Sequence, residues 1–142
     1  MTSLDEALRL LPHGPEFRFL DRLSALEPGK SGAGEYRVRG EESFLRGHFP
    51  GKPLFPGVLL VEAAAQLAGV VAQSDPSSPP LPGLKLTALS GIKITGSAGQ
   101  GDIIEVRARI TGRLGNLVHA EASAWVNGNR VMNGTIMLSG ER

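Results

Sequence analysis

Two hydrophobic periods run through the chain. Over 58–72 nearly every side chain is apolar around the whole helical circumference, and Glu62 and Gln66 are the only polar members. A helix apolar on all sides must be enclosed by other structure. The second half instead alternates with the two-residue period of strands. Ile104, Val106, Ala108 and Ile110 interleave with Glu105, Arg107 and Arg109, while Val118, Ala120, Ala122, Ala124 and Val126 interleave with His119, Glu121, Ser123 and Trp125. The pattern predicts strands near 84–94, 102–112, 116–126 and 129–139, with Asn127-Gly128 as a tight hairpin turn. Upstream, strands are expected over 18–27 and 33–39 around Pro28-Gly29-Lys30. Ser3 with Glu6 forms a capping box for a short helix ending near Leu10, before Pro12. The Pro- and Ser-rich stretch 74–83 reads as a connector within one domain spanning 1–142. An antiparallel sheet with many inward alanines, curving around a long apolar helix, gives an α+β architecture. An all-β barrel also fits the strand periods but has nowhere to bury the helix.

Composition adds exclusions. The chain has 142 residues, 15 basic and 14 acidic side chains, a net charge of +1 and no cysteine. Nothing in this balance favours nucleic acid, and disulfide and thiolate chemistry are ruled out. A reducing, cytoplasmic setting is expected. The start lacks a signal-peptide pattern, and the apolar helix is shorter than the roughly 20 residues that span a bilayer.

The chemistry gathers around the helix. Glu62 and Gln66, four residues apart, share a face, and an unpaired ionised carboxylate there would cost several kcal/mol. Glu62 therefore either ties the helix down or does chemistry. Just upstream, Gly47-His48-Phe49-Pro50-Gly51 sits in a loop whose prolines (Pro50, Pro53, Pro56) and glycines restrict the backbone and can aim an imidazole. His48, with an ordinary pKa of roughly 6.5, can accept a proton, whereas a Glu in an apolar site is pushed toward its proton-donating form. Gly57, after Pro56 at the helix start, offers an N–H with no intrahelical acceptor at the positive end of the helix dipole. Base, acid and oxyanion donor are what elimination of water from a 3-hydroxyacyl thioester requires.

These residues also resemble a family. Gly47-His48-Phe49-Pro50-Gly51-Lys52-Pro53, then Pro56-Gly57-Val58-Leu59-Leu60-Val61-Glu62-Ala63 and Gln66, resembles the active-site block of FabZ-type 3-hydroxyacyl-(acyl carrier protein) dehydratases. The likeness extends over Leu10-Leu11-Pro12-His13, Leu20-Asp21-Arg22, Ala88-Leu89-Ser90-Gly91-Ile92 and Gly101-Asp102. It implies a hot-dog fold and a homodimer with sites at the interface, in a family that also assembles three such dimers. It implies His48 as base, Glu62 as acid, and the Gly57 amide on the thioester carbonyl. Gln66, Phe49 and Val58 become substrate-binding positions, and the substrate rides on the phosphopantetheine of an acyl carrier protein. No cofactor or metal is implied. Glu at 62 and Val at 58 favour this type over FabA-type dehydratase-isomerases, which typically carry Asp and Cys there.

Other residues weigh less. His119 is expected to be solvated or at an interface, His13 structural, and Asp21-Arg22 an ion pair. No two histidines have metal-ligand spacing. The glycine-rich 96–101 lacks the ending of a phosphate loop. The segment 93–100 departs from the family's basic and aromatic run, and Arg46 replaces a neutral residue, which alters the pocket wall or docking surface. Two other readings remain: a hot-dog thioesterase releasing free thiol, and a non-catalytic acyl- or carrier-binding subunit.

Overall fold

A computed structural model describes residues 3–42, 45 and 54–141. Helix α1 (Leu4–Leu8) leads through a 3-10 turn (Pro15–Phe17) into strands β1 (Arg22–Glu27) and β2 (Ser31–Arg37). Helix α2 (Gly57–Gln73) follows, and then β3 (Lys85–Ile94), β4 (Ile103–Leu114), β5 (Leu117–Val126) and β6 (Asn129–Ser139). The six strands form one antiparallel sheet in the order β1-β2-β4-β5-β6-β3. The sheet wraps α2, which packs mainly on β4 and β5 and also meets β2, β3 and β6. This is the hot-dog arrangement that the enclosed helix calls for.

The inward strand positions are those the alternation marks. Ile104, Val106 and Ala108 of β4, and Val118, Ala120, Ala122, Ala124 and Val126 of β5, are buried. From α2 they meet Leu60, Ala63, Ala64, Leu67, Ala68 and Val71, also buried. Small side chains on both surfaces let the sheet close tightly on the helix. Asn127 and Gly128 adopt φ of 52° and 79°, the paired positive values of a type I′ turn. At the C-terminal end of α2, Arg113 of β4 donates to the Ala72 carbonyl at 3.1 Å and the Pro79 carbonyl at 2.8 Å. A cation there complements the helix dipole and ties the connector down.

Ser3 caps α1 by accepting from the Glu6 amide at 3.1 Å, as the capping box predicts. β1 begins at Arg22 rather than 18, because the preceding segment is held by α2 instead of by a neighbouring strand. Phe19 and Leu20, consecutive and both about 1% exposed, break the alternation a strand would need. Asp21 and Arg22 do not pair with each other. Asp21 binds Arg39 at 2.7 Å and Arg22 binds Glu35 at 3.0 Å, since adjacent side chains of extended chain point apart.

β3 is an edge strand and departs from regular pairing between Ser90 and Lys93, where Gly91 has φ of 61°. Opposite lies Gly134 of β6, at which a Cβ would sit 2.9 Å from the Ile92 Cα. Gly134→Ala should push β3 off β6 and lower unfolding free energy by about 1–3 kcal/mol, the usual cost of overpacking. Urea denaturation of the two proteins measures the difference.

Candidate active site

The helix carboxylate is fixed by its neighbour one turn on. Gln66 is 2% exposed, and every arm of its amide is used. Its Oε1 accepts from the Phe19 amide at 2.8 Å, while its Nε2 donates to the Phe17 carbonyl at 2.8 Å and to Glu62 Oε2 at 3.1 Å. The i,i+4 spacing visible in the sequence makes this contact possible. Gln66 thus binds the segment before β1 to α2 and holds the carboxylate in the same act.

His13 joins them. Its Nε2 lies 3.7 Å from Glu62 Oε2, its Nδ1 is buried without a partner among the described residues, and its ring tilts against Phe17 at a centroid distance of 6.1 Å. Phe17 stacks edge-on with Phe19, which in turn meets Tyr36 and Phe55, so one aromatic chain runs from His13 to Phe55, two residues before α2. From the sequence His13 is expected to be structural. The Leu-Pro-His turn was the available signal, but nothing in the sequence says that the turn folds back onto Glu62.

Glu62, His13 and Gln66 line one end of a cavity of about 420 Å³ that follows α2 past Gly69 to Gln73 and Leu81. At the far end the Gln73 amide donates to the Leu81 carbonyl at 2.7 Å and accepts from the Leu81 amide at 2.8 Å. The volume is typical of small-molecule sites.

Gly57 is the first residue of α2. Pro56 precedes it, and no side chain among the described residues caps the helix there. A Cβ on Gly57 would stand 3.1 Å from Ile94 Cγ2, so the glycine also lets the end of β3 seat against the helix. Val58, one turn before Glu62 on the same face, is 71% exposed, so the enclosure inferred for the whole helix stops short of its first turn. His48 and Phe49 lie outside the described residues. His119 is exposed on the outer face of β5, as expected. Among the described residues no cluster of His, Asp and Glu could hold a metal, and no helix is long and apolar enough to cross a membrane.

A second polar knot closes β2 just before residue 43. Glu42 accepts from the Tyr36 hydroxyl at 2.8 Å and from the amides of Gly40 and Arg39 at 2.7 and 3.1 Å. Burial pushes the Glu42 carboxyl up, but these donors outweigh it and hold the group below its ordinary range. Burial, followed by the bond to Glu42, raises the Tyr36 phenol.

Residues 11–135 match the FabA-like domain family. The chain belongs to this family of acyl dehydratase-like proteins and is of its FabZ type. It is 34% identical over 139 residues to a 3-hydroxyacyl-(acyl-carrier-protein) dehydratase FabZ of Clostridioides difficile, covering 98% of this chain and 97% of that one. It is 33% identical over 126 residues to the FabZ of Syntrophotalea carbinolica, covering 89% and 86%. Among solved structures it resembles the dehydratase heterocomplex ApeI:P from Xenorhabdus doucetiae, with a TM-score of 0.81 at 15% identity over 96% of this chain and 91% of that one. It also resembles zebrafish thioesterase superfamily member 2, with a TM-score of 0.72 at 15% identity over 99% and 100%. At such identities these two likenesses establish the fold alone.

Gln66→Leu should remove the acceptor that the buried Phe19 amide uses and cost about 1–3 kcal/mol of stability, read from urea unfolding. Glu42→Gln should lower Tm at neutral pH. A carboxyl depressed in the fold stabilises above its unfolded pKa, and that contribution is lost as pH falls through the folded value. The Tm gap between wild type and Glu42→Gln should therefore close as pH drops below the ordinary glutamate range, measured by thermal melts across acidic buffers.

Proposed function

We propose that this protein reversibly dehydrates a 3-hydroxyacyl thioester, carried on an acyl carrier protein, to the trans-2-enoyl thioester. Near full-length identity to FabZ dehydratases carries the reading. Glu62, held by Gln66 at the end of a largely apolar cavity, supports it.

In this reaction His48 takes the C2 proton, and the thioester oxygen, gaining negative charge, is held by the Gly57 N–H at the start of α2. The C2 electron pair forms the double bond as the C3–O bond breaks, and protonated Glu62 delivers its proton to the departing hydroxyl, which leaves as water. His48 ends protonated and Glu62 ionised, and solvent exchange resets both. His48 is assigned from its place in the motif. Phe49 and Val58 are assigned to contact substrate at the entrance, and His13, beside the same oxygen as Gln66, to help position Glu62.

We infer that the working unit is a homodimer, which further assembly could turn into a trimer of dimers. β3 is an unpaired edge whose Leu89 and Ile94 are 51% and 44% exposed, and Val58 of α2 is exposed as well. A second copy pairing along this edge would cover all three. The chain would then act within acyl-chain synthesis.

A thioesterase shares the fold, so activity must separate the two. Purified protein should interconvert short 3-hydroxyacyl and trans-2-enoyl thioesters without releasing thiol. His48→Ala and Glu62→Gln should each lower kcat/KM on the order of 10²-fold or more. Enoyl absorbance and free thiol, followed together, check this. Thiol release would replace the dehydratase with a thioesterase, and absence of any turnover would leave a binding subunit.

A further inference from the structure

Glycine is the least favourable helix-interior residue after proline, so a mid-helix glycine calls for a reason. At several other glycines of this protein the reason is contact. A Cβ on Gly57 would crowd Ile94, one on Gly32 would lie 2.9 Å from Val71 Cγ2, and one on Gly134 would strike Ile92. Gly69, in the middle of α2, is different. A Cβ there would meet Leu84 Cδ2 at 3.9 Å and Leu138 Cδ1 at 4.0 Å, ordinary contacts that an alanine would make without strain. Its backbone is helical and needs no left-handed φ. Among the described residues no contact requires the missing side chain.

What the missing side chain leaves open is the cavity. Gly69 lines it between Glu62 and Gln73, nearer the latter. Leu84, Leu86 and Leu138 give it apolar walls on the sheet side. The two glutamine amides bracketing it are engaged by backbone partners, Gln66 by Phe17 and Phe19 and Gln73 by Leu81. The space between is lined mainly by apolar side chains, with Lys85 also on its wall.

We propose that Gly69 sets the depth of the acyl slot and so the chain length this protein accepts. The identity of the ligand rests on the dehydratase reading, whereas the slot stands on the geometry. Gly69 lies seven residues beyond Glu62, or about 10 Å along the axis at a rise of about 1.5 Å per residue. An acyl chain with C3 at the carboxylate reaches Gly69 only in its distal part. A butyryl group stops short of it, and a dodecanoyl group passes it.

The test uses saturated butyryl- and dodecanoyl-pantetheine, which cannot be dehydrated, with wild type, Gly69→Ala and Gly69→Met, by titration calorimetry. Wild type should prefer dodecanoyl. Gly69→Met should shrink that preference by at least about tenfold, in line with the cost of methylenes that a hydrophobic pocket cannot house. Gly69→Ala should reduce it less, with a Tm equal to or above that of wild type. Equal affinity of wild type for both ligands would overturn the slot, as would folded variants that bind dodecanoyl like wild type. If Gly69→Met does not fold, the graded loss in Gly69→Ala decides. Turnover of the 3-hydroxyacyl thioesters is assayed separately. Chain-length discrimination in binding without turnover would sink the dehydratase reading and keep the slot.

Discussion

An all-apolar helix cannot lie on a surface, and the rest of this structure follows from enclosing α2. The sheet must curve around it, which favours alanine on the inward positions of β5 and glycine where strands and helix come closest. Because the sheet wraps the helix rather than closing into a barrel, it keeps two edges, β1 and β3. The first turn of α2 emerges near the end of β3, where Val58 and Ile94 leave apolar surface exposed.

Enclosure also decides where polar groups can go. Along α2 only three side chains within the helix can hydrogen-bond, and each is matched. Glu62 and Gln66 bind each other, with Gln66 also bound to Phe17 and Phe19, and Gln73 is bound to Leu81. A buried amide left unmatched would be costly, so the helix recruits loop backbone to satisfy its own glutamines. This brings His13 onto Glu62, because the segment from 13 to 19 is hauled across the helix by Gln66. Carboxylate, imidazole and cavity are then brought together by the same requirement that keeps the core dry.

Much of this was legible in the sequence. The four C-terminal strands fall within two residues of where alternation puts them, the Asn127-Gly128 turn is where its φ preferences require, and the helix is marked by its unbroken apolar run. Glu62 and Gln66 stand out as the polar members of that run. The less legible parts are those set by long-range contacts. The 3-10 turn at 15–17 and the late start of β1 depend on a glutamine 47 residues away from Phe19. The partners of Asp21 and Arg22 come from β2 and the residues after it, and periodicity does not specify cross-strand neighbours. His13 lies in a turn that carries no period at all, so its approach to Glu62 emerges only once the segment is tethered.

The two glutamines on α2 are seven residues apart, almost two helical turns, so both amides address the same flank of the helix. Each presents one donor and one acceptor to a passing backbone, as a neighbouring strand would. The helix therefore acts as a ruler with fixed phase, joining the chain before β1 at one mark and the connector before β3 at the other. A substitution between the marks leaves that phase untouched. A one-residue insertion or deletion there would swing one amide by about 100° and release its segment. Length between these two positions is a stricter constraint on the helix than the identity of the residues that fill it.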